Sequence, residues 1–221
     1  MQSLIKIYFL IIFIPLFVIA KPEKEVSHKK QAVLIMERFS KAKNISAHIE
    51  KIDEKPTLGS KTTSAGVLKY SGGKFYLQLN AEQKTELYFK NEKLTLVDYP
   101  DLELDKNGVR KVTHVSGKTP AFLNSLINLF SNSKSFFKQF KILDTSLDNG
   151  LLTLNLKPSL PNLKKFKIEL STANKTIDKI EFTDDVDTQT TIKLSEFDLE
   201  KAIPKVTFDF KVLKSDQEVT Q

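Results

Sequence analysis

Three histidines, His28, His48 and His114, are the residues of this chain best suited to acid–base or metal chemistry near neutral pH, and their spacing argues against both. A zinc site built on imidazole needs ligands in closely spaced sets. A general base needs a reacting partner within hydrogen-bond reach. Here the three lie one to a segment. The acids Asp184, Asp185 and Asp187 gather in one stretch, but it lacks the glycine and the terminal glutamate of a calcium loop and reads as a solvated turn. There is no Gly-x-Ser-x-Gly elbow, phosphate loop or dinucleotide fingerprint, and Gly72-Gly73 alone is a hairpin signal. Asn44-Ile45-Ser46 and Asn174-Lys175-Thr176 fit the glycosylation acceptor pattern, a tripeptide common by chance. The residues point away from catalysis, metal and cofactor and toward binding.

The chain contains no cysteine. That removes a disulfide scaffold, a zinc–thiolate site and a thiol nucleophile, so stability must come from an ordinary core. At the N-terminus, Met1 to Lys6 followed by the apolar run Ile7 to Ile19 and then Ala20 before Lys21-Pro22 reads as a secretory signal peptide. The alternative is an uncleaved membrane helix, for which the stretch between Lys6 and Lys21 is short against the roughly 20 residues a span requires. Without a cysteine after the cleavage point the exported chain carries no lipid there. Residues 1–20 are thus expected to be removed, leaving residues 21–221 as one soluble exported domain. A formal net charge of +7 is a modest excess that favours anionic head groups or an acidic partner. Basic and acidic residues are interspersed and arginine is nearly absent, which excludes nucleic acid as a partner.

These few chemical residues sit in a chain whose hydropathy pattern is mostly that of strands. Val26, Ala32, Val33, Ile35, Met36 and Phe39 recur at three- and four-residue steps and predict an amphipathic helix over 26–41. From Ile45 onward the period is two. Strands are predicted near 45–55, 64–70, 74–80, 85–89, 93–99 and 111–115, and again near 139–146, 151–157, 163–171, 176–183, 189–197 and 205–212, with turns at Gly72-Gly73, Asn91-Glu92, Asp148-Asn149-Gly150 and Ala173-Asn174. Between the two groups, Thr119-Pro120 opens a short helix running to Phe130. Phe122, Leu123, Leu126, Ile127, Leu129 and Phe130 leave it apolar around most of its girth, so it needs burial on more than one side, and only the N-terminal helix is on hand to help cover it.

The fold class that follows is mainly β: an incomplete antiparallel β-barrel, a curled meander of about 11–12 strands, with an N-terminal helix and a short helical lid over a hydrophobic cavity. Alternate positions such as Phe75, Leu77 and Leu79 make its interior apolar. With 16 phenylalanines, five tyrosines and no tryptophan it is lined by single-ring aromatics.

The order of segments resembles the LolA-type periplasmic carriers of outer-membrane lipoproteins. The resemblance rests on the strand Asn44 to Glu50 after the first helix, Ala65 to Phe75, the strand pair Thr85 to Leu94, the helix opening Thr119-Pro120-Ala121-Phe122-Leu123, and Leu154 to Pro158 leading into Asn162 to Ile168, with Asp184-Asp185 and Phe208-Asp209-Phe210 beyond. It implies a carrier that takes the acyl chains of lipid-modified proteins from an inner-membrane ABC-type releasing complex to an outer-membrane acceptor, working as a monomer. The residues implied to contact acyl chains at rim and lid are Phe39, Phe75, Leu77, Leu79, Leu87, Phe89, Phe122, Leu123, Leu126 and Ile127. Where the family carries an Arg-Pro pair whose arginine latches the lid, this chain has Ser71-Gly72. The latch is then either supplied elsewhere or weaker. Competing readings are a lipid- or lipoprotein-binding sensor of the same fold, which usually has an additional domain; a secreted hydrolase of lipids, for which no nucleophile and base are visible; and an adhesive envelope protein, which leaves the greasy helix unexplained.

Overall fold

A computed structural model describes residues 23–101, 103–115 and 121–220, with the side chains of 23–26, 121 and 122 outside the described set. The proposed signal peptide and the Thr119-Pro120 helix opening also lie outside it. The elements in chain order are α1 (Glu23–Lys41), β1 (Asn44–Lys55), β2 (Ser60–Ser71), β3 (Lys74–Asn80), β4 (Lys84–Lys90), β5 (Lys93–Asp98), β6 (Lys111–Val115), α2 (Ala121–Ser131), α3 (Ser133–Gln139), β7 (Phe140–Asp148), β8 (Leu151–Pro158), β9 (Leu163–Ser171), β10 (Thr176–Asp184), β11 (Gln189–Asp198) and β12 (Gln217–Thr220), with 3-10 turns at Pro56–Leu58 and Lys205–Phe208.

Twelve strands form one sheet in the order β12-β6-β5-β4-β3-β2-β1-β11-β10-β9-β8-β7. Its centre is β1, which pairs antiparallel with β2 over its whole length and with β11 on its other side. Two meanders are thereby stitched together, β1 to β6 and β7 to β11. The outermost strands, β12 and β7, do not pair with each other, so the sheet is an incomplete barrel. The alternation read from sequence maps onto its two faces. Ile45, Ala47 and Ile49 of β1, Leu152, Leu154 and Leu156 of β8, and Phe166, Ile168 and Leu170 of β9 are all buried on the face that carries the helices. The turns behave as their residues require: Asn91 and Glu92 both take positive φ, as do Asn149 and Gly150.

Three helices cover that face. On α1 the buried residues are Ala32, Ile35, Met36 and Phe39, the spacing of one helical stripe. On α2, Leu123, Leu126, Ile127, Leu129 and Phe130 are all buried. The extra cover α2 needs comes partly from α3, a helix absent from the sequence reading, which packs against both α1 and α2. Asn132 caps α3, its side chain accepting a hydrogen bond from the Ser135 amide at 3.0 Å. Phe136 then stacks on Phe140 at 4.5 Å and meets Phe166 edge-on at 6.0 Å. The serine-rich run from Ser131 to Ser135 carries little helical periodicity, and the cap rather than propensity starts the helix.

The strand expected over 205–212 is not formed. Pro204 leads into a 3-10 turn, and the segment crosses the outer face of β3 and β4 as a strap. Its alternating Phe208 and Phe210 are satisfied by packing onto a sheet face: Phe208 is buried, and the Phe210 ring lies 5.4 Å from Tyr88. The period-two signal was real, but what it records is contact with a strand face, not pairing in a ladder. The chain then adds β12 parallel to β6, from Gln217 opposite Lys111 to Thr220 opposite His114, the one parallel pairing among the described residues of a sheet expected to be wholly antiparallel.

Candidate functional site: an apolar cavity beneath helix α2

Strand register sets mostly apolar side chains of β2, β3 and β4 opposite one another. Phe75 faces Phe89, Leu77 faces Leu87 and Leu79 faces Thr85 across β3 and β4, while Leu68 faces Leu77 across β2 and β3. Between these side chains, the central strands and α2 lies an enclosed cavity of about 190 Å³. Ile49, Leu68, Leu77, Leu79, Leu87, Ile180, Ile192 and Leu194 of the sheet, Leu126 and Phe130 of α2, and one charged residue, Lys51, form its wall. A wider depression of about 730 Å³ on the outer face is open to solvent and bordered by Glu50, Glu169, Lys179 and Lys193, so it offers no apolar shelter. The cavity under α2 is the place where an apolar ligand gains from burial.

Of the residues singled out from sequence, Leu77, Leu79, Leu87 and Leu126 lie in the cavity wall. Phe39 and Phe75 are at 0% exposure within the surrounding core, as is Leu123 at 4% and Ile127 at 8%. Phe89 is partly buried and packs against that core. Phe122 lies on α2, with its side chain outside the described residues. The sequence reading did not name Ile49, Lys51, Leu68, Phe130, Ile180, Ile192 or Leu194 as site residues. Most of them carried the alternation that marks the inner face. What sequence could not supply was the register, which brings β1, β10 and β11 against β3 and β4 under one helix.

Among the described residues, Ser71 makes its side-chain hydrogen bond within the sheet. Its hydroxyl donates to Asn44 Oδ1 at 2.8 Å, tying β2 to the start of β1. Helix α2 is held instead by aromatic packing: Phe130, fully buried, lies 6.1 Å from Phe39 on α1 and 6.4 Å from Tyr70 on β2. The Tyr70 hydroxyl accepts from the Gly73 amide at 3.2 Å, which fixes the ring against the glycine turn. Phe39, Tyr70 and Phe130 thus join α1, β2 and α2 in one aromatic contact.

The densest cluster of titratable groups lies elsewhere. On the outer face Glu86 is buried and accepts hydrogen bonds from Tyr76 at 3.1 Å, Tyr88 at 2.8 Å and Tyr99 at 2.9 Å, with Lys84 at 2.7 Å. Burial pushes its carboxyl up, but the bonds from Lys84, Tyr88 and Tyr99 outweigh it and hold Glu86 below the usual carboxylate range. Burial, followed by the neighbouring carboxylate, pushes the Tyr76 and Tyr88 hydroxyls far above their ordinary values. Every member is satisfied and the C-terminal strap packs over the strands that carry them, so the cluster is a structural lock. His48 faces Glu196, His114 lies between Thr95 and Glu218, and His28 meets Thr145, three separate places. Asp184 caps its own turn, accepting from the amides of Val186 and Thr188, which is the role of a turn acid.

Comparison with solved structures finds matches at low identity. An uncharacterized conserved protein from Thermus thermophilus matches at TM-score 0.50 and 8% identity, covering 87% of this chain and 99% of its own. A LolA superfamily protein from Nitrosomonas europaea matches at TM-score 0.42 and 10% identity, covering 84% and 97%. MucB, in its complex with MucA from Pseudomonas aeruginosa, matches at TM-score 0.42 and 9% identity, covering 84% of this chain and 61% of that one. A search of curated protein sequences finds no match. The family model for the outer membrane lipoprotein carrier protein LolA matches residues 40–211, from the end of α1 to the strap, and the chain belongs to that family.

Proposed function

We propose that this protein is an exported periplasmic carrier that shields the acyl chains of lipoproteins released at the inner membrane by an ABC-type complex and hands them to an outer-membrane acceptor. The observation that carries the reading is the enclosed apolar cavity roofed by α2. Exposing one sixteen-carbon chain to water costs on the order of 12 kcal/mol at about 0.8 kcal/mol per methylene. A cavity of this composition offsets that cost, and transfer to a second apolar cavity is close to thermoneutral, so direction is set by differential affinity.

The size of the cavity supports loading by an opening of α2. A cavity of about 150 Å³ is filled by benzene, so about 190 Å³ holds roughly eight carbons, well short of a long acyl chain. In this reading the described conformation is a closed form, and cargo enters by displacing α2, whose Leu126 and Phe130 form part of the wall. Aromatic packing is suited to such a lid because it can be remade without leaving an unpaired charge in the interior.

The test is a release assay on spheroplasts carrying labelled lipoproteins. Purified protein is expected to move the label into the soluble fraction, and a folded Leu126→Asp variant to leave it on the membrane. Equal release by both would remove α2 and its cavity from the mechanism.

A further inference from the structure

The net positive charge of the chain is unevenly placed. Of its 34 cations and 27 acids, α1–α3 hold seven cations and three acids, and residues 1–22 hold two cations and no acid, which leaves the strands and connections balanced to within one charge. From Ser27 onward the three helices carry a single acid, Glu37. All three helices cover the same face of the sheet, so the excess of the described elements is concentrated on one side of the molecule.

On α1 the exposed residues Lys30, Leu34, Arg38 and Lys41 recur at three- and four-residue steps, opposite the buried stripe of Ala32, Ile35, Met36 and Phe39. Lys134 and Lys138 are exposed one turn apart on α3. Two shallow depressions make these positions contiguous. One is bordered by Leu34 and Arg38 together with Lys175 of the β9–β10 turn, the other by Lys41 and Glu37 together with Lys134. Arg38 Nη1 donates to the carbonyls of Asn174 and Lys175 at 2.9 and 3.1 Å, which fixes that turn beside the helix without neutralising the guanidinium. Glu37 is matched to Lys41 at 3.2 Å. Among the described residues, Lys30, Lys134, Lys138 and Lys175 form no ion pair, whereas Lys167, Lys179 and Lys193 on the other face of the sheet each meet a glutamate. In the middle of the cationic stripe Leu34 is 67% exposed.

We propose that this helical face docks on an anionic phospholipid bilayer, with the cations of α1, α3 and the β9–β10 turn on lipid phosphates and Leu34 in the head-group layer. Charge supplies the attraction: a bilayer containing anionic lipid carries a negative surface potential that acts on clustered Lys and Arg within about a Debye length. The residue types favour lipid over an acidic protein. Five of the six cations at the face are lysine and one is arginine, whereas protein interfaces are enriched in arginine and depleted of lysine. A lone leucine ringed by cations is too small for the buried core of a protein interface and is suited to the boundary between head groups and acyl chains. The proposal stands on the charge of the helical face and does not require the cavity to hold acyl chains, so either can fail without the other.

Protein purified from its own periplasmic fraction is sedimented with vesicles of phosphatidylcholine alone or of phosphatidylcholine mixed with phosphatidylglycerol. The mixed vesicles are expected to be bound at least about tenfold more tightly at low salt, and raising the salt from about 0.02 M to about 0.3 M removes most of that margin. Lys30→Gln combined with Lys134→Gln weakens binding to the mixed vesicles by roughly 20- to 30-fold, about fivefold per charge. Lys157→Gln combined with Lys165→Gln removes the same charge from exposed positions on the opposite face of the sheet and changes binding by less than about threefold. The chain has no tryptophan, so Leu34→Trp introduces a single indole, whose emission is expected to shift to the blue on the mixed vesicles and to stay unshifted with phosphatidylcholine. Equal loss in both double variants, or an indole that stays in water while the protein sediments with vesicles, would overturn the assignment of this face. No binding to the mixed vesicles at low salt would overturn the proposal outright, and binding of polyglutamate in its place would give the face to an acidic protein.

Discussion

Phe130→Leu weakens the aromatic contacts that hold α2 over the cavity. The ring of Phe130 lies between Phe39 at 6.1 Å and Tyr70 at 6.4 Å, and its side chain is fully buried. An aromatic pair is worth about 0.5–1.5 kcal/mol beyond area burial. Replacing the ring by an aliphatic chain of smaller volume removes two such pairs and keeps most of the apolar area, so the closed state loses about 1–2 kcal/mol. If opening α2 breaks these contacts, the same loss appears in the opening equilibrium and raises apparent affinity for an acyl probe by about 5- to 30-fold. The control is Ser71→Ala, which removes only the bond to Asn44 and lowers stability by about 1 kcal/mol or less with no change in probe affinity. Thermal unfolding measures the first quantity and a fluorescent fatty-acyl titration the second. Tighter binding by Ser71→Ala together with unchanged binding by Phe130→Leu would place the latch at the glycine turn and refute the aromatic one.

Leu126→Asp puts a carboxylate into a wall with a single charged member, and saturable uptake of an apolar dye by the folded variant is expected to vanish; retained uptake would locate binding elsewhere. Gly66→Ala places a methyl group 1.8 Å from the Gln78 carbonyl oxygen, forcing β2 and β3 apart at a loss on the order of 3 kcal/mol, read as the shift in the denaturant midpoint. Glu86 has a folded pKa below its unfolded one, so its contribution to stability is full above about pH 4.3 and falls as the pH drops through the folded value. Glu86→Gln is expected to lower stability at neutral pH by about 1–3 kcal/mol and to flatten that part of the acid-side loss, as followed by unfolding curves from about pH 7 to pH 3.

Much of the fold was legible because period-two alternation survives even where only one face is covered. Eleven strands fall close to where the pattern puts them, and Val26 to Lys41 lies within the observed α1. The failures have physical causes. Val206, Phe208, Phe210 and Val212 alternate like a strand, but alternation reports one-sided burial, which a strap lying on a sheet also satisfies. Helix α3 depends on the Asn132 cap and on docking of Phe136, neither of which appears as periodicity. At the site, sequence singled out aliphatic residues of β3, β4 and α2, whereas the opposite wall from β1, β10 and β11 required long-range register.

The central claim is that the interior under α2 takes up acyl chains, and native mass spectrometry of the protein purified from its own periplasmic fraction without detergent tests it most directly. A population carrying bound acylated material, released on unfolding and absent from Leu126→Asp purified in parallel, is the predicted result. Wild-type protein that is folded, exported and uniformly free of acyl-containing mass, and that stays so after incubation with acylated ligands, would contradict the account.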